Sequence, residues 1–431
     1  MMLRPAILCA LLCAAPAAQA QDLGASLLGG RPTIDLRLRY ETVSDKSRPL
    51  TGEGATLRAR LGYDTARWNG LALQVAFDVL VPVGESDYNT TRNGKIAYPN
   101  IGDAELFALK HLNLSYNNAE LATTIIAGRQ RLALGSQRFL ASPDWRMHGQ
   151  SFDAVQLTNN SVPGLALTYI WIDRVNRIYG ATTPFDPTAV AAATNQAGHF
   201  KSDSHVMNAA YTGVPGLKLE AYALLLDLAP PDTAFRPAQR TAAARLSTAT
   251  LGARAEYDTR LWDEIGIRLI GDYARQNDHA ANPLNFGLDY WLGEGGVSWN
   301  GFGAALGYEV LSGNGVVSVG TPIGWLHNNN GWADLLTTTP LNGLKDFYVR
   351  GTYAWPGFLG LRALNLMMRY HDFKTDNLDR GIGSEWNLQA DFQIDANFAV
   401  MAKYANHAGS GVGVGGFADK SVFWLQTSYR Y

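Results

Sequence analysis

The 431-residue sequence is poor in the features that mark most familiar classes. Both of its cysteines, Cys9 and Cys13, fall in the first twenty residues, so the remainder has no disulfide, thiolate metal site or cysteine nucleophile. No stretch after those residues has ~20 consecutive apolar side chains, which excludes a transmembrane helix. The formal net charge is −2, so there is no bulk attraction to nucleic acid. Neither H-E-x-x-H nor G-x-S-x-G occurs.

Gly (44), Tyr (19) and Trp (11) are abundant, and their arrangement carries the information. Met1 to Arg4 bear one positive charge, Ile7 to Ala15 are apolar, and Ala18-Gln19-Ala20 is a small-x-small site. This pattern predicts a secretory signal over 1–20. Leucine precedes each cysteine, so no lipoprotein anchor is expected. A short periplasmic segment is expected over 21–33.

From Ile34 the chain alternates. In Ile34-Asp35-Leu36-Arg37-Leu38-Arg39-Tyr40-Glu41 the even positions are apolar and the odd ones charged. A two-residue period puts each class on one face of a strand. The last residues, Phe423-Trp424-Leu425-Gln426-Thr427-Ser428-Tyr429-Arg430-Tyr431, alternate too and stop on an aromatic. A closed membrane barrel needs such a strand, pairing with the first and facing lipid on every second residue. Eighteen segments of this kind can be traced. Hairpin chemistry separates many of them, as at Val214-Pro215-Gly216, Asn300-Gly301 and Trp355-Pro356-Gly357. Longer connections fall near 80–104, 131–151, 175–205, 228–247, 312–345 and 407–419. The pattern predicts an all-β, transmembrane, antiparallel up-and-down β-barrel of about 18 strands over 34–431. It has strict alternation of short periplasmic turns and long extracellular loops, with both termini in the periplasm of a Gram-negative cell. Tyr431, Tyr429, Leu425 and Phe423 should face outward, on a strand that pairs with the one beginning near Ile34. A propeller gives similar strand spacing but has no use for the terminal aromatic or the ring-bearing strand ends.

The inward phase is charged. Arg37, Arg39, Arg58 and Arg60 share it on two adjacent strands, and Arg254, Arg268, Arg350, Arg369 and Lys403 share it further round. Guanidinium groups lining a lumen bind carboxylate or phosphate by paired hydrogen bonds and set anion selectivity. Asp35, Glu41, Asp64, Asp78, Glu220, Glu256, Asp272, Glu309, Glu385 and Asp391 share the same phase, so for any one arginine a cross-strand ladder of ion pairs is the favoured reading, and the two can coexist.

The most distinctive stretch is Gly128-Arg129-Gln130-Arg131, Gln137-Arg138-Phe139, Asp144-Trp145-Arg146 and Phe152-Asp153-Ala154-Val155. Such a connection could fold back into the pore and narrow it. These motifs resemble the alginate export family of outer-membrane barrels, most specifically over 127–158. The resemblance implies a monomeric barrel that passes an anionic uronate polysaccharide through an arginine-rich pore. It also implies that Arg129, Arg131, Arg138 and Arg146 are pore contacts. The leading expectation is therefore export of an alginate-like anionic saccharide, and the alternative is a porin for uptake of small anionic solutes or oligosaccharides. No enzymatic role is expected, because no outward-phase strand offers a Ser–His pair at the rim. The expected partners are outer-membrane lipid, lipopolysaccharide and the barrel-assembly machinery that reads the C-terminal strand.

Other motifs carry less. Gly411-Val412-Gly413-Val414-Gly415-Gly416 matches G-x-G-x-x-G but precedes a strand and lacks a βαβ setting. The histidines, among them His148, His327, His371 and His407, show no metal spacing. No cofactor is expected, although the loop residues Asp87, Asn89, Asp103 and Asp376, Asn377, Asp379 are candidates for loose Ca²⁺ binding.

Overall fold

The computed structural model describes residues 22–180, 198–230, 241–411 except 242 and 263, and 417–431. The expected signal segment and residues 412–416 of the glycine-rich run lie outside the described residues. A six-residue helix, Leu23–Leu28, is capped by the Asp22 carboxylate and leads into the first strand. Eighteen long strands then follow one another round a single antiparallel sheet. They are β1 (Arg31–Asp45), β2 (Gly52–Asp64), β3 (Leu71–Asp87), β4 (Leu106–Asn118), β5 (Thr123–Gln130), β6 (Ser151–Val162), β7 (Leu165–Asn176), β8 (His199–Val214) and β9 (Leu217–Leu225). After the two-residue β10 (Leu228–Ala229) come β11 (Thr248–Leu261), β12 (Ile265–Asp278), β13 (Gly287–Trp299), β14 (Phe302–Leu311), β15 (Leu344–Pro356), β16 (Ala363–Lys374), β17 (Gly381–Gln393), β18 (Phe398–Gly409) and β19 (Lys420–Arg430).

The barrel closes where expected. β1 pairs with β19, with Leu36 opposite Tyr429 and Tyr40 opposite Leu425. Ile34 and Tyr431 exchange backbone hydrogen bonds of 3.1 and 2.9 Å across the seam. Closure satisfies every strand edge, which is what permits strands to cross a bilayer. Deleting Tyr431 removes both seam bonds and an exposed interfacial ring. The expected result is a loss of correctly assembled barrel, read as a fall in the heat-modifiable folded band of membrane fractions. An unchanged folded fraction would show that the terminal residue is dispensable for closure.

The two-residue period is realised throughout. On β1, Arg37, Arg39 and Glu41 are buried in the lumen while Leu36, Leu38 and Tyr40 face outward. Outward rings gather near both ends of the wall. At the turn end, Phe302 and Tyr353 lie 4.3 Å apart, and at the loop end Tyr370 and Trp386 lie 4.9 Å apart. These are the girdles of a membrane wall. At the β13–β14 turn, Asn300 (φ 44°) and Gly301 (φ 84°) both take positive φ, the two-residue hairpin geometry that Asn-Gly favours.

The strict length alternation fails at two places. The loop-end connections 46–51 and 375–380 are as short as the turns at the other end. The expected infolding of the 131–150 connection is present, and it is joined by the 312–343 connection. Ala141 N–H donates to Ile323 O at 2.9 Å, and Trp325 N–H donates to Gln137 O at 2.9 Å. Leu132, Phe139, Leu140, Ile323 and Leu336 pack with inward Tyr222, Leu224, Leu288 and Tyr290 into one apolar cluster. The mouth of the barrel therefore contains a core, held by burial of apolar surface worth roughly 25 cal/mol per Å².

Candidate permeation pathway and its arginine wall

The inward cations separate into two groups. The first is occupied by the infolded 131–150 loop. Arg37 and Arg58 stand directly opposite each other on β1 and β2, a like-charge pair that is unfavourable alone. The Asp144 carboxylate enters between them and lies 2.9 Å from Arg60, 3.2 Å from Arg58 and 3.7 Å from Arg37. Arg60 is also bidentate to Asp78. Burial alone would raise the Asp144 carboxyl, but Arg60, Lys110 and Arg58 outweigh it and hold it well below the usual carboxylate range. Loop carbonyls receive further wall cations. Arg39 donates to Trp145 O at 2.6 Å and stacks on the Trp145 ring at 4.2 Å. Lys110 donates to Gly149 O at 2.5 Å.

Arg146 leaves the loop to meet Glu41 at 2.9 Å, Asp334 at 3.4 Å and Asp103 at 3.8 Å. Burial opposes its charge, and Glu41, Asp103 and Asp334 more than compensate, so its pKa is raised above the ordinary arginine value. Arg138 is buried against Glu309 and Asn330, and Arg129 is bidentate to Asp153. Of the four arginines singled out by the resemblance, Arg131 alone is exposed, with no ion pair among the described residues.

Lys403 has the inward phase expected of it, but the loops close over it. Its ammonium lies 3.6 Å from the Trp332 ring centroid and 3.9 Å from that of Trp145, a cation–π enclosure. His327 Nε2 is 2.8 Å away, and His327 Nδ1 is 2.7 Å from Asp334.

The second group faces open space. Inward residues on the turn half of β12–β14 are small (Gly266, Gly296, Ser298, Gly303, Ala305), and a cavity of about 600 Å³ lies over them. A second cavity of about 300 Å³ adjoins it toward the infolded loops, bounded there by Ser136, Asn328 and Asn329. Arg268, Glu294 and Arg350 line both, so the two form one path. Arg254 pairs with Glu256 at 2.8 Å and Asp272 at 3.1 Å, Arg268 pairs with Glu256, and Arg350 pairs with Glu294 at 2.8 Å. Arg369 differs from these three. It donates to Asn328 O at 3.1 Å and sits 5.4 Å over the Tyr348 ring, with no carboxylate in ion-pair range among the described residues. Arg350 and Arg369 are directly opposite across β15 and β16.

The sequence reading did not single out Glu294, Tyr348 or Arg260, all of which line this path. The inward phase would have found Glu294 and Tyr348. Arg260 shares that phase at the turn end of β11. Three of the six candidate calcium ligands are otherwise engaged: Asp87 by Lys95 at 3.1 Å, Asp103 by the Met147 N–H at 3.1 Å, and Asp379 by Lys345 at 3.4 Å. Among the described residues no group of three or more His, Asp or Glu is placed to hold a metal.

No family model matches the chain, and no curated protein sequence matches it. Solved structures do. OccAB3 of Acinetobacter baumannii superposes with a TM-score of 0.68 at 12% identity, covering 94% of this chain and 99% of that one. OccK3 (OpdO) of Pseudomonas aeruginosa gives 0.67 at 14% identity, over 95% and 97% of the two chains. The chain has a porin fold. OpdK of Pseudomonas aeruginosa, solved with vanillate, superposes on this porin-like barrel with a TM-score of 0.66 at 17% identity, over 93% and 98%. The similar structures are Occ and Opd porins, and the likeness gives no specific support to alginate export.

Proposed function

We propose that the chain is a monomeric outer-membrane channel for uptake of small anionic solutes, carboxylates foremost, along the arginine-lined side of its lumen. The observation that carries this reading is Arg369. It is a lumenal guanidinium facing an open cavity, opposite a second arginine, with no resident carboxylate of its own. On the occupied side, the like pair Arg37 and Arg58 receives Asp144 from the loop. The pair on the open side is the counterpart of that cluster with its shared anion missing, and a permeant carboxylate supplies it. The similarity to Occ and Opd porins, one of them solved with vanillate, supports the same reading. Polyuronate export fits less well. A polymer needs a continuous bore, and the two packed loops fill the mouth of the barrel, against inward residues of β6–β9 and β12–β17 on one side and of β1, β18 and β19 on the other.

Planar-bilayer reversal potentials in a KCl gradient test the proposal. The wild-type channel should prefer anions. Arg369→Met should lower the anion/cation permeability ratio about threefold, since one charge in a narrow lumen sets much of the local field. A cation-selective wild-type channel would sink the proposal.

A further inference from the structure

Arg254, Arg268 and Arg350 on the open path each have an acid partner, Arg369 has none among the described residues, and one of those acids stands where the two cavities meet. Glu294 lines both cavities, at their junction. It receives Arg350 Nη2 at 2.8 Å and the Tyr348 hydroxyl at 2.6 Å. Its cross-strand neighbour on β14 is Gly307, and that glycine is required. A Cβ there would lie 2.2 Å from Tyr348 Cζ. The Tyr348 ring thus lies across the strand in the space a side chain would fill, with its hydroxyl on Glu294 and its ring under Arg369.

We infer that Glu294 is a resident counter-ion that sets the selectivity of the channel. It occupies half of the Arg350–Arg369 carboxylate seat, and a permeant carboxylate must compete with it for Arg350. This rests on the anion-uptake reading above and names the residue that tunes it. Two facts favour exchange over a fixed structural bridge. Arg350 is nearly one-third exposed, so it stays solvated when its partner leaves. Arg369 sits directly across the strand pair, so an incoming carboxylate can bind it first and then share Arg350. The consequence is a trade between binding and passage. With Glu294 present, a carboxylate is held by one free guanidinium and released past an acid. Without it, the carboxylate is held by two.

The test is block of KCl current by benzoate, with benzamide as its uncharged counterpart, in channels carrying Glu294→Gln. The amide keeps the size of the side chain and can still accept from Tyr348. Benzoate should block the variant on the order of tenfold more tightly than wild type, the change expected for one added charge-assisted contact. Benzamide should be unaffected, and Glu294→Gln with Arg350→Met should return benzoate block to the wild-type level. Gly307→Ala displaces Tyr348 without changing any charge and should shift benzoate block much less than Glu294→Gln. If Glu294→Gln leaves benzoate block and selectivity unchanged while Arg369→Met still lowers anion preference, the counter-ion role is wrong and the uptake reading stands. If wild type shows no anion preference and Arg369→Met changes nothing, the uptake reading itself fails.

Discussion

Replacing Asp144 with asparagine is expected to raise both the mean conductance and the current noise of the channel. The amide has the shape of the carboxylate but not its charge. Three wall arginines converge on that charge, at 2.9, 3.2 and 3.7 Å. After the change Arg60 keeps Asp78 and Arg58 keeps Asp35, whereas Arg37 is left with the Asp144 carbonyl alone. Removing one partner of a buried ion pair costs about 3 kcal/mol, on the order of a hundredfold in the ratio of released to docked loop. The loss is local. Arg39 on Trp145 O and Lys110 on Gly149 O still tether the segment, so brief lifting of the loop is expected in place of permanent opening. Single-channel recording reads it directly. Arg131→Gln is the control, because that exposed arginine holds no ion pair among the described residues. Traces of Asp144→Asn that cannot be told from wild type would show that the carboxylate does not hold the loop.

The wall was legible in the sequence and its contents were not, for separate physical reasons. The Leu36-Arg37-Leu38-Arg39 alternation exists because one face meets lipid and the other a polar lumen, and that contrast is local. It fades where the inward face meets the packed loops. Leu80 on β3 faces inward and is fully buried, so Val79-Leu80-Val81 reads apolar on both faces. The alternation alone therefore points to a connection from residue 80, while the strand runs to Asp87. The start of β8 at His199 is hidden for the same reason, since its inward Phe200 belongs to the mouth core. Which arginines face solvent depends on partners far along the chain. Arg37 and Asp144 are 107 residues apart, and Arg138 and Asn330 are 192 apart. Phase alone puts Lys403 on the inward face and gives no sign that Trp145 and Trp332 cover it. The 131–150 loop stood out by its composition. The 312–343 loop, which supplies Trp332, His327 and Asn328, looked like any long connection.

Acidification is expected to unlatch the 312–343 loop while the barrel stays folded. The latch is His327, wedged between Lys403 on β18 and Asp334 of its own loop. Its Nε2 accepts from the Lys403 ammonium, so the docked ring must be neutral. Burial is the largest influence and disfavours the charged ring. Asp334 opposes it, Lys403 and Arg146 add to it, and the docked His327 pKa falls to about 3. A released loop would expose the ring, which then titrates near its ordinary value of about 6.5. Between those values the released state binds a proton that the docked state refuses. Docking is therefore at full strength above pH ~6.5 and weakens as pH falls toward 3, by about 2 kcal/mol at pH 5. Asp334 does not contribute at that pH. Its docked pKa is depressed, so its share is lost only below the ordinary carboxylate range. His148, which binds Asp78 from the other infolded loop, is also pushed down, by burial first, and adds in the same direction. Current noise should rise between pH 7.5 and 5, while the heat-modifiable folded band stays intact over the same range, because the strand ladders contain no group that this step must protonate to unpair. Replacing both His327 and His148 with glutamine should flatten the response, and a rise of the same size in that double variant would exclude the histidine latch.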